Sequence, residues 1–237
     1  MIKFFTYLPG NDDLNNSMRL PRDWFYVPLP SIRVDVGRLK EELEPMVLQG
    51  NACGLTVSKD YAGRPYAFDL FNGNSGPGKD GAWRVYTGER DSDLTHWSLE
   101  LENSYTREVG KQLSSYLGMP APRVRSSRIS AGIERKGIDM HRDPHTPFRV
   151  HIALDTAPGA TWSFVTGDGR RFRIHQPADG IPIYIDTAGV QHGVDVVSAS
   201  RWHLWYQWYE RPPAPTIARI MSLAGSQPIK WSEYNEI

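Results

Sequence analysis

The chain has 237 residues, with 27 Lys and Arg balanced by 27 Asp and Glu, and 40% of its residues are apolar. That apolar content supports a substantial core, and the zero formal charge removes the basic footprint of a nucleic-acid binder. No composition break divides the chain, so the length predicts one domain: a supporting part over 1–122, a catalytic core over 123–209 and a tail over 210–237. Of the cationic residues 20 are Arg, the side chain that grips carboxylates bidentately, which points towards acidic ligands. Cys53 is alone, so neither an intrachain disulfide nor a multi-Cys zinc site can form, and a reducing compartment fits. The apolar run at the N-terminus is too short for a signal peptide, and nothing approaches 18 consecutive apolar residues. The expectation is a soluble, cytoplasmic protein without a membrane partner.

Taken in order, residues 1–33 hold short apolar groups such as Trp24-Phe25-Tyr26-Val27, which read as one or two strands. Asp35 is a good N-cap, and Leu39, Leu43 and Val47 lie four apart, so a helix is expected over 36–49, kinked or split at Pro45 and finished by Gly50. Tyr66 to Phe71 reads as a strand, followed by a glycine-rich loop over 72–94 that is either a surface loop or a lid over a substrate. Leu101, Tyr105, Val109, Leu113 and Leu117 recur every fourth residue and predict a long helix stopped by Gly118 and Pro120. From Arg123 to Tyr209, short Val-, Ile- and aromatic-rich segments alternate with Gly, Pro and Asp at intervals of about ten residues, as in a β-sandwich or barrel. Pro212, Pro213 and Pro215 precede a short helical turn near Ile217 to Leu223.

Chemistry gathers between His141 and Trp208. His141-Arg142-Asp143 is followed 49 residues later by His192, and two imidazoles with one carboxylate can occupy one face of an octahedral ion, the ligand set of non-haem Fe(II) oxygenases. His-x-Asp alone is weak, because seven His and 16 Asp in this length supply about half an occurrence by chance. Strand alternation adds placement: Arg149 and His151 face the same way, and Arg201 shares a face with His203 and Trp205. If Val190–Val197 and Arg201–Tyr209 form a hairpin, Arg201 lies roughly 13 Å along the sheet from His192, room for a five-carbon diacid such as 2-oxoglutarate between a metal and a guanidinium.

The stretch from about Arg125 to Trp208 resembles the catalytic core of the Fe(II)/2-oxoglutarate-dependent dioxygenases, and within them the aspartyl/asparaginyl β-hydroxylase branch that includes bacterial proline hydroxylases. The resemblance rests on a His-x-Asp, a nearby Arg-x-His, a distal His and an Arg beyond it. It implies a mainly β fold with flanking helices, a double-stranded β-helix or jelly roll. It implies His141, Asp143 and His192 as Fe(II) ligands, Arg201 as partner of the distal 2-oxoglutarate carboxylate, and Arg149 and His151 helping to hold that cosubstrate. The reaction implied couples decarboxylation of 2-oxoglutarate to succinate, with O2, to hydroxylation of an amino acid or amino acid residue. Asp143 stands where some β-hydroxylases of this branch carry glycine, so the proline hydroxylases are the closer comparison. The spacing from His192 to Arg201 is nine residues where the family usually has ten.

Other chemistries fit less well. Gly73 to Lys79 approaches a P-loop, but Asp80 replaces the Mg²⁺-binding hydroxyl and no helix pattern follows. His141-Arg142-Asp143 mimics a kinase catalytic loop, yet Phe148 stands at the Asn position. Two rivals remain: a non-catalytic jelly-roll binding module, and a cupin-type metalloenzyme that uses His141, His145 or His151, and His192 without 2-oxoglutarate. His145, His175 and His203 read as structural, the tryptophans after 200 as sheet packing, and Arg125 and Arg128 as a salt-bridged surface or contacts to a substrate carboxylate.

Overall fold

The structure, a computed structural model, describes residues 25–47, 52–57, 65–68, 96–129, 138–143, 148–157, 159–166, 169–195, 200–210, 212–223 and 235–236. Its strands are β1 (Tyr26–Pro28), β2 (Ala52–Gly54), β3 (Thr56–Val57), β4 (Tyr66–Phe68), β5 (His96–Trp97), β6 (Arg123–Ile129) and β7 (Ile138–His141), then β8 (Phe148–Thr156), β9 (Thr161–Val165), β10 (Arg171–His175), β11 (Ile183–Ile185), β12 (Gln191–Val194), β13 (Arg201–Trp208) and β14 (Asn235–Glu236). The helices are α1 (Val36–Leu43), α2 (Tyr105–Leu117) and α3 (Ala214–Leu223).

Seven strands form one antiparallel sheet in the order β1-β11-β8-β13-β6-β2-β4, five form a second in the order β14-β10-β9-β12-β7, and β3 pairs β5 separately. From β6 to β13 the chain visits the large sheet, the small, the large, twice the small, the large, the small and the large again. That alternation is the double-stranded β-helix, in which each sheet covers the other's inner face. The sequence expectation of a mainly β jelly roll with flanking helices is therefore correct. The supporting part also contributes strands to the sheets: β1, β2 and β4 join the large sheet at both of its ends.

Two apolar layers follow from period-2 alternation. On β8, Val150, Ile152 and Leu154 pack outward with Leu39, Leu43, Leu113 and Leu117 of the helices. Trp202, Leu204, Tyr206 and Trp208 of β13 join them. Each outward aromatic finds a partner for its polar tip: Trp202 Nε1 donates to Ser126 Oγ at 2.9 Å, Tyr206 OH to the Thr106 carbonyl at 2.8 Å and Trp208 Nε1 to the Pro120 carbonyl at 2.8 Å. Phe25, Trp162, Phe164, Phe172, Ile174, Ile183 and Ile185 fill the second layer, between the sheets.

Local rules place the helix ends. Asp35 accepts from the Arg38 N–H at 3.0 Å and starts α1. Pro45 has no N–H, so α1 stops at Leu43 with a single further turn closed by Val47 N–H to the Leu43 carbonyl at 3.0 Å. The split expected at Pro45 is thus an end, and Gly50 lies outside the described residues. Leu101 belongs to a 3-10 turn over Leu99–Leu101, because Ser104 caps Arg107 N–H at 3.0 Å and starts α2 afresh. Gly118, at φ 67°, closes α2 in the left-handed conformation that side chains disfavour. The helical turn expected near Ile217 is the ten-residue α3.

Glu42 ties α1 to the start of α2. Its carboxylate accepts from Tyr105 N–H and Thr106 N–H, both at 2.8 Å, and from Thr106 Oγ1 at 2.5 Å, which places a negative charge on the N-terminus of α2. Glu42→Ala leaves these donors unpaired, so the expected result is a loss of roughly 2–3 kcal/mol in urea unfolding with an unchanged m-value.

Candidate metal centre and cavity

The three predicted ligands arrive from the small sheet and its flank. His141 ends β7 and pairs directly with His192 of β12, which puts the two rings 4.4 Å apart between centroids. Asp143 lies two residues past His141 and is pinned by its N–H, which donates to the Thr187 carbonyl at 2.9 Å. The turn that carries Thr187 is itself tied by Gly189 N–H donating to Asp186 Oδ1 at 2.8 Å. His141 Nε2 stands 3.7 Å from Asp143 Oδ1 and His192 Nε2 stands 3.2 Å from Asp143 Oδ2. All three donor atoms lie within 4.8 Å of one another. For metal bonds of about 2.1 Å, adjacent octahedral donors are about 3 Å apart, so these side chains already stand close to a ligating arrangement.

Protonation supports the fit. His141 Nδ1 donates to the Asp139 carbonyl at 2.7 Å, and His192 Nδ1 faces the Val190 carbonyl at 3.4 Å. A carbonyl only accepts, so in each neutral ring the lone pair sits on Nε2, the atom aimed at Asp143. Burial first, then the charges of His141 and Arg149, lowers the His192 pKa, against the pull of Asp143, and the ring stays neutral near pH 7. Burial alone would raise the Asp143 pKa, but the hydrogen-bonding contact with His192 and the positive charge of Arg149 outweigh it and hold the carboxyl well below the usual range. His192 Nε2 and Asp143 Oδ2 face each other at 3.2 Å, and both are atoms that can ligate a divalent cation.

The large sheet supplies the opposite wall. Its inner face carries cross-strand rows, Ser127 beside His203 and Arg125 beside Trp205 beside His151, with Arg201 two residues from His203 along β13. Together with the three donors they line a cavity of about 410 Å³, in the size range of small-ligand pockets. Arg201 is 3% exposed, lies 4.5 Å over the Trp162 ring, and its Nη2 is buried without a hydrogen-bond partner. Burial lowers its pKa to about 9, so it remains a cation at neutral pH. His203 Nδ1, both nitrogens of His151 and Ser127 Oγ are also buried and unpartnered. Buried polar groups are ordinarily paired, so a cluster of orphans around one cavity points to a polar ligand. Both His151 and His203 are neutral, their pKa values pushed well below 6.5 by burial and then by nearby cations.

The structure brings all six predicted residues, His141, Asp143, Arg149, His151, His192 and Arg201, to this one cavity. The hairpin predicted between His192 and Arg201 is wrong: β12 belongs to the small sheet and β13 to the large one, so the two residues meet across the barrel and not along one sheet. Arg149 donates to Asp143 Oδ2 at 2.5 Å, a contact with the metal-type carboxylate that alternation could not reveal. His203, read as structural, lines the cavity; its shared face with Arg201 was the available signal. Arg125 also lines it, whereas Arg128 pairs with Glu44 at 2.6 Å and covers Trp202 on the outer face. His175 is exposed on β10, and His145 and the 72–94 loop lie outside the described residues. Cys53 is buried on β2, where burial pushes its thiol pKa far up and keeps it protonated. Among the described residues no helix is long and apolar enough to cross a membrane.

No protein-family model matches the chain, and no curated protein matches it in sequence. Among solved structures it is similar to AviO1 from Streptomyces viridochromogenes Tue57, with 14% identity, a TM-score of 0.47, and coverage of 81% of this chain and 92% of that one. It is also similar to an oxidoreductase of the 2OG-Fe(II) oxygenase family from Burkholderia pseudomallei, at 17% identity and a TM-score of 0.44, covering 76% and 80% of the two chains. A prolyl-4-hydroxylase from Pseudomonas putida matches at 16% identity and a TM-score of 0.33 over 44% of this chain, and the match spans 59% of that protein's length.

Proposed function

We propose that this chain is an Fe(II)- and 2-oxoglutarate-dependent hydroxylase acting on an amino acid or an amino acid residue. The observation that carries the reading is the pairing of a converged His141, Asp143 and His192 donor set with a buried cation, Arg201, whose Nη2 has no partner, in the wall of the same cavity. In this reading the three donors hold the metal on one face and leave the other positions open. When bound, the iron with 2-oxoglutarate and O2 supplies the oxidation of an unactivated C–H bond, with succinate released.

The chain's own residues bind, orient and exclude water. Arg201 takes the far carboxylate of the diacid in a charge-assisted bond, and the neutral His151 ring forms part of the wall beside it. Arg149 holds Asp143 Oδ2, which fixes the orientation in which the carboxylate is presented. Arg149→Gln is therefore expected to weaken Mn(II) binding by about 10–100-fold in calorimetric titration, whereas a role confined to the cosubstrate leaves Mn(II) affinity without 2-oxoglutarate unchanged.

An anaerobic titration with Fe(II) and 2-oxoglutarate tests the reading: a weak visible metal-to-ligand charge-transfer band is expected, and O2 then yields succinate. A protein that binds neither is the non-catalytic jelly-roll module. One that binds iron but not the diacid is the cupin-type alternative.

A further inference from the structure

The residues from Asp186 to Val190 carry the chain from β11 of the large sheet to β12 of the small one, and two of the three metal-type donors lean on them. The Thr187 carbonyl accepts the Asp143 N–H at 2.9 Å, and the Val190 carbonyl faces His192 Nδ1 at 3.4 Å. Asp143 and His192 come from different segments of the chain, yet Oδ2 of one and Nε2 of the other stand 3.2 Å apart. One turn that offers a carbonyl to each sets that spacing, because a change in its shape moves the two donors relative to each other.

The turn is organised by a single side chain. Asp186 Oδ1 accepts from the Gly189 N–H at 2.8 Å, the carboxylate accepts from the Ala188 N–H as well, and the Asp186 carbonyl accepts from the Val190 N–H at 3.3 Å. The Asp186 N–H donates to the Phe25 carbonyl at 2.8 Å, which anchors the turn beside β1. Position 189 has to be glycine, since a Cβ there would collide with the Asp186 carboxylate. Burial pushes the Asp186 pKa up to about 6, which leaves it a carboxylate at neutral pH, and the charge of Arg142, the residue between His141 and Asp143, also acts on it. Burying a charge is costly unless it is bonded. Here the bonds that offset the cost are those that shape the support of the metal centre.

We infer that Asp186 is a positioning residue for the metal centre: through the Thr187 and Val190 carbonyls it holds Asp143 and His192 at ligating separation before a metal arrives. This rests on the donor set of the hydroxylase reading above and deepens it with a side chain that is not part of the cavity lining.

The test starts with the unaltered chain, titrated with Mn(II) by calorimetry and with Co(II) by visible absorption, whose bands report coordination geometry. A chain that binds neither ion overturns the hydroxylase reading and this inference with it. Asp186→Ala is expected to weaken Mn(II) binding by about 10–100-fold and to shift the Co(II) bands. Asp186→Asn keeps one acceptor oxygen, so its loss should be under about tenfold. Gly189→Ala leaves the carboxylate in the chain but displaces it, and should match Asp186→Ala. Glu42→Ala, which loosens the helices on the far side of the large sheet, is the control for a merely structural effect: its Mn(II) affinity should stay within about threefold, with the Co(II) bands unmoved. Unaltered affinity and bands in Asp186→Ala, or a loss in Glu42→Ala as large as in Asp186→Ala, overturns the inference and leaves the hydroxylase reading in place. Amide exchange in the unaltered chain decides the matter even if the variants do not fold. On binding Zn(II), the Asp143 and Gly189 N–H groups should slow together by about tenfold or more, as parts of one hydrogen-bonded unit, and slowing at Asp143 with none at Gly189 overturns the inference.

Discussion

Asp143→Asn is expected to reduce 2-oxoglutarate turnover by at least about 10³-fold, equivalent to roughly 4 kcal/mol of transition-state stabilisation. The substitution keeps the shape of the side chain but removes the only anionic donor of the set, and with it the charge that offsets a divalent ion beside the Arg149 guanidinium. The metal-free protein should lose only a modest part of its stability. Asp143 and Arg149 have side chains 21% and 15% exposed, so solvent screening limits the stability cost of breaking their pair to about 1–2 kcal/mol. Metal-dependent stabilisation is the sharper reading: at a metal concentration 100 times Kd the unaltered chain gains about 2.7 kcal/mol, a gain that Asp143→Asn should lose almost entirely. Thermal unfolding with and without Mn(II) measures it. A variant that kept the metal-induced shift would remove Asp143 from the ligand set.

Arg201→Met is the second large effect, and it acts with opposite signs on stability and binding. In the free protein the methionine replaces a buried cation whose Nη2 is unpartnered, so stability is expected to hold or rise. Binding should fall, because truncating one partner of a desolvated, hydrogen-bonded charge pair costs about 2–5 kcal/mol, or roughly 30- to 4,000-fold in Kd for 2-oxoglutarate. Metal affinity measured without the diacid should stay within about threefold, since Arg201 approaches the site from the other sheet. Titration of the Mn(II) protein with 2-oxoglutarate separates these effects. Unaltered diacid affinity would favour a metalloenzyme that works without it.

Both expectations draw on residues that the sequence had already singled out, which shows how local the legible part of this protein is. Period-2 alternation alone grouped Arg149 with His151 and Arg201 with His203 and Trp205, since successive side chains in a strand point to opposite faces. Fourfold spacing of apolar residues located the helix that became α2, and Asp35 and Gly118 marked helix ends through hydrogen-bond and backbone preferences that involve only neighbours. His-x-Asp and the later His192 named the candidate donors because ligation depends on side-chain chemistry.

What the sequence by itself determined, then, was the list of chemically competent groups and the face each occupies on its own strand. Only the tertiary structure decided which strands are partners. Alternation is the same whether a strand pairs with its sequence neighbour or with one fifty residues away, so β12 and β13 looked like a hairpin while they belong to opposing sheets. The same limit hid the Arg149 contact with Asp143, the entry of Arg125 and exclusion of Arg128 from the cavity, and the orphaned nitrogens of His151 and His203. Inward and outward acquire meaning only once two sheets close on each other, because burial and hydrogen-bond satisfaction are properties of the packed whole.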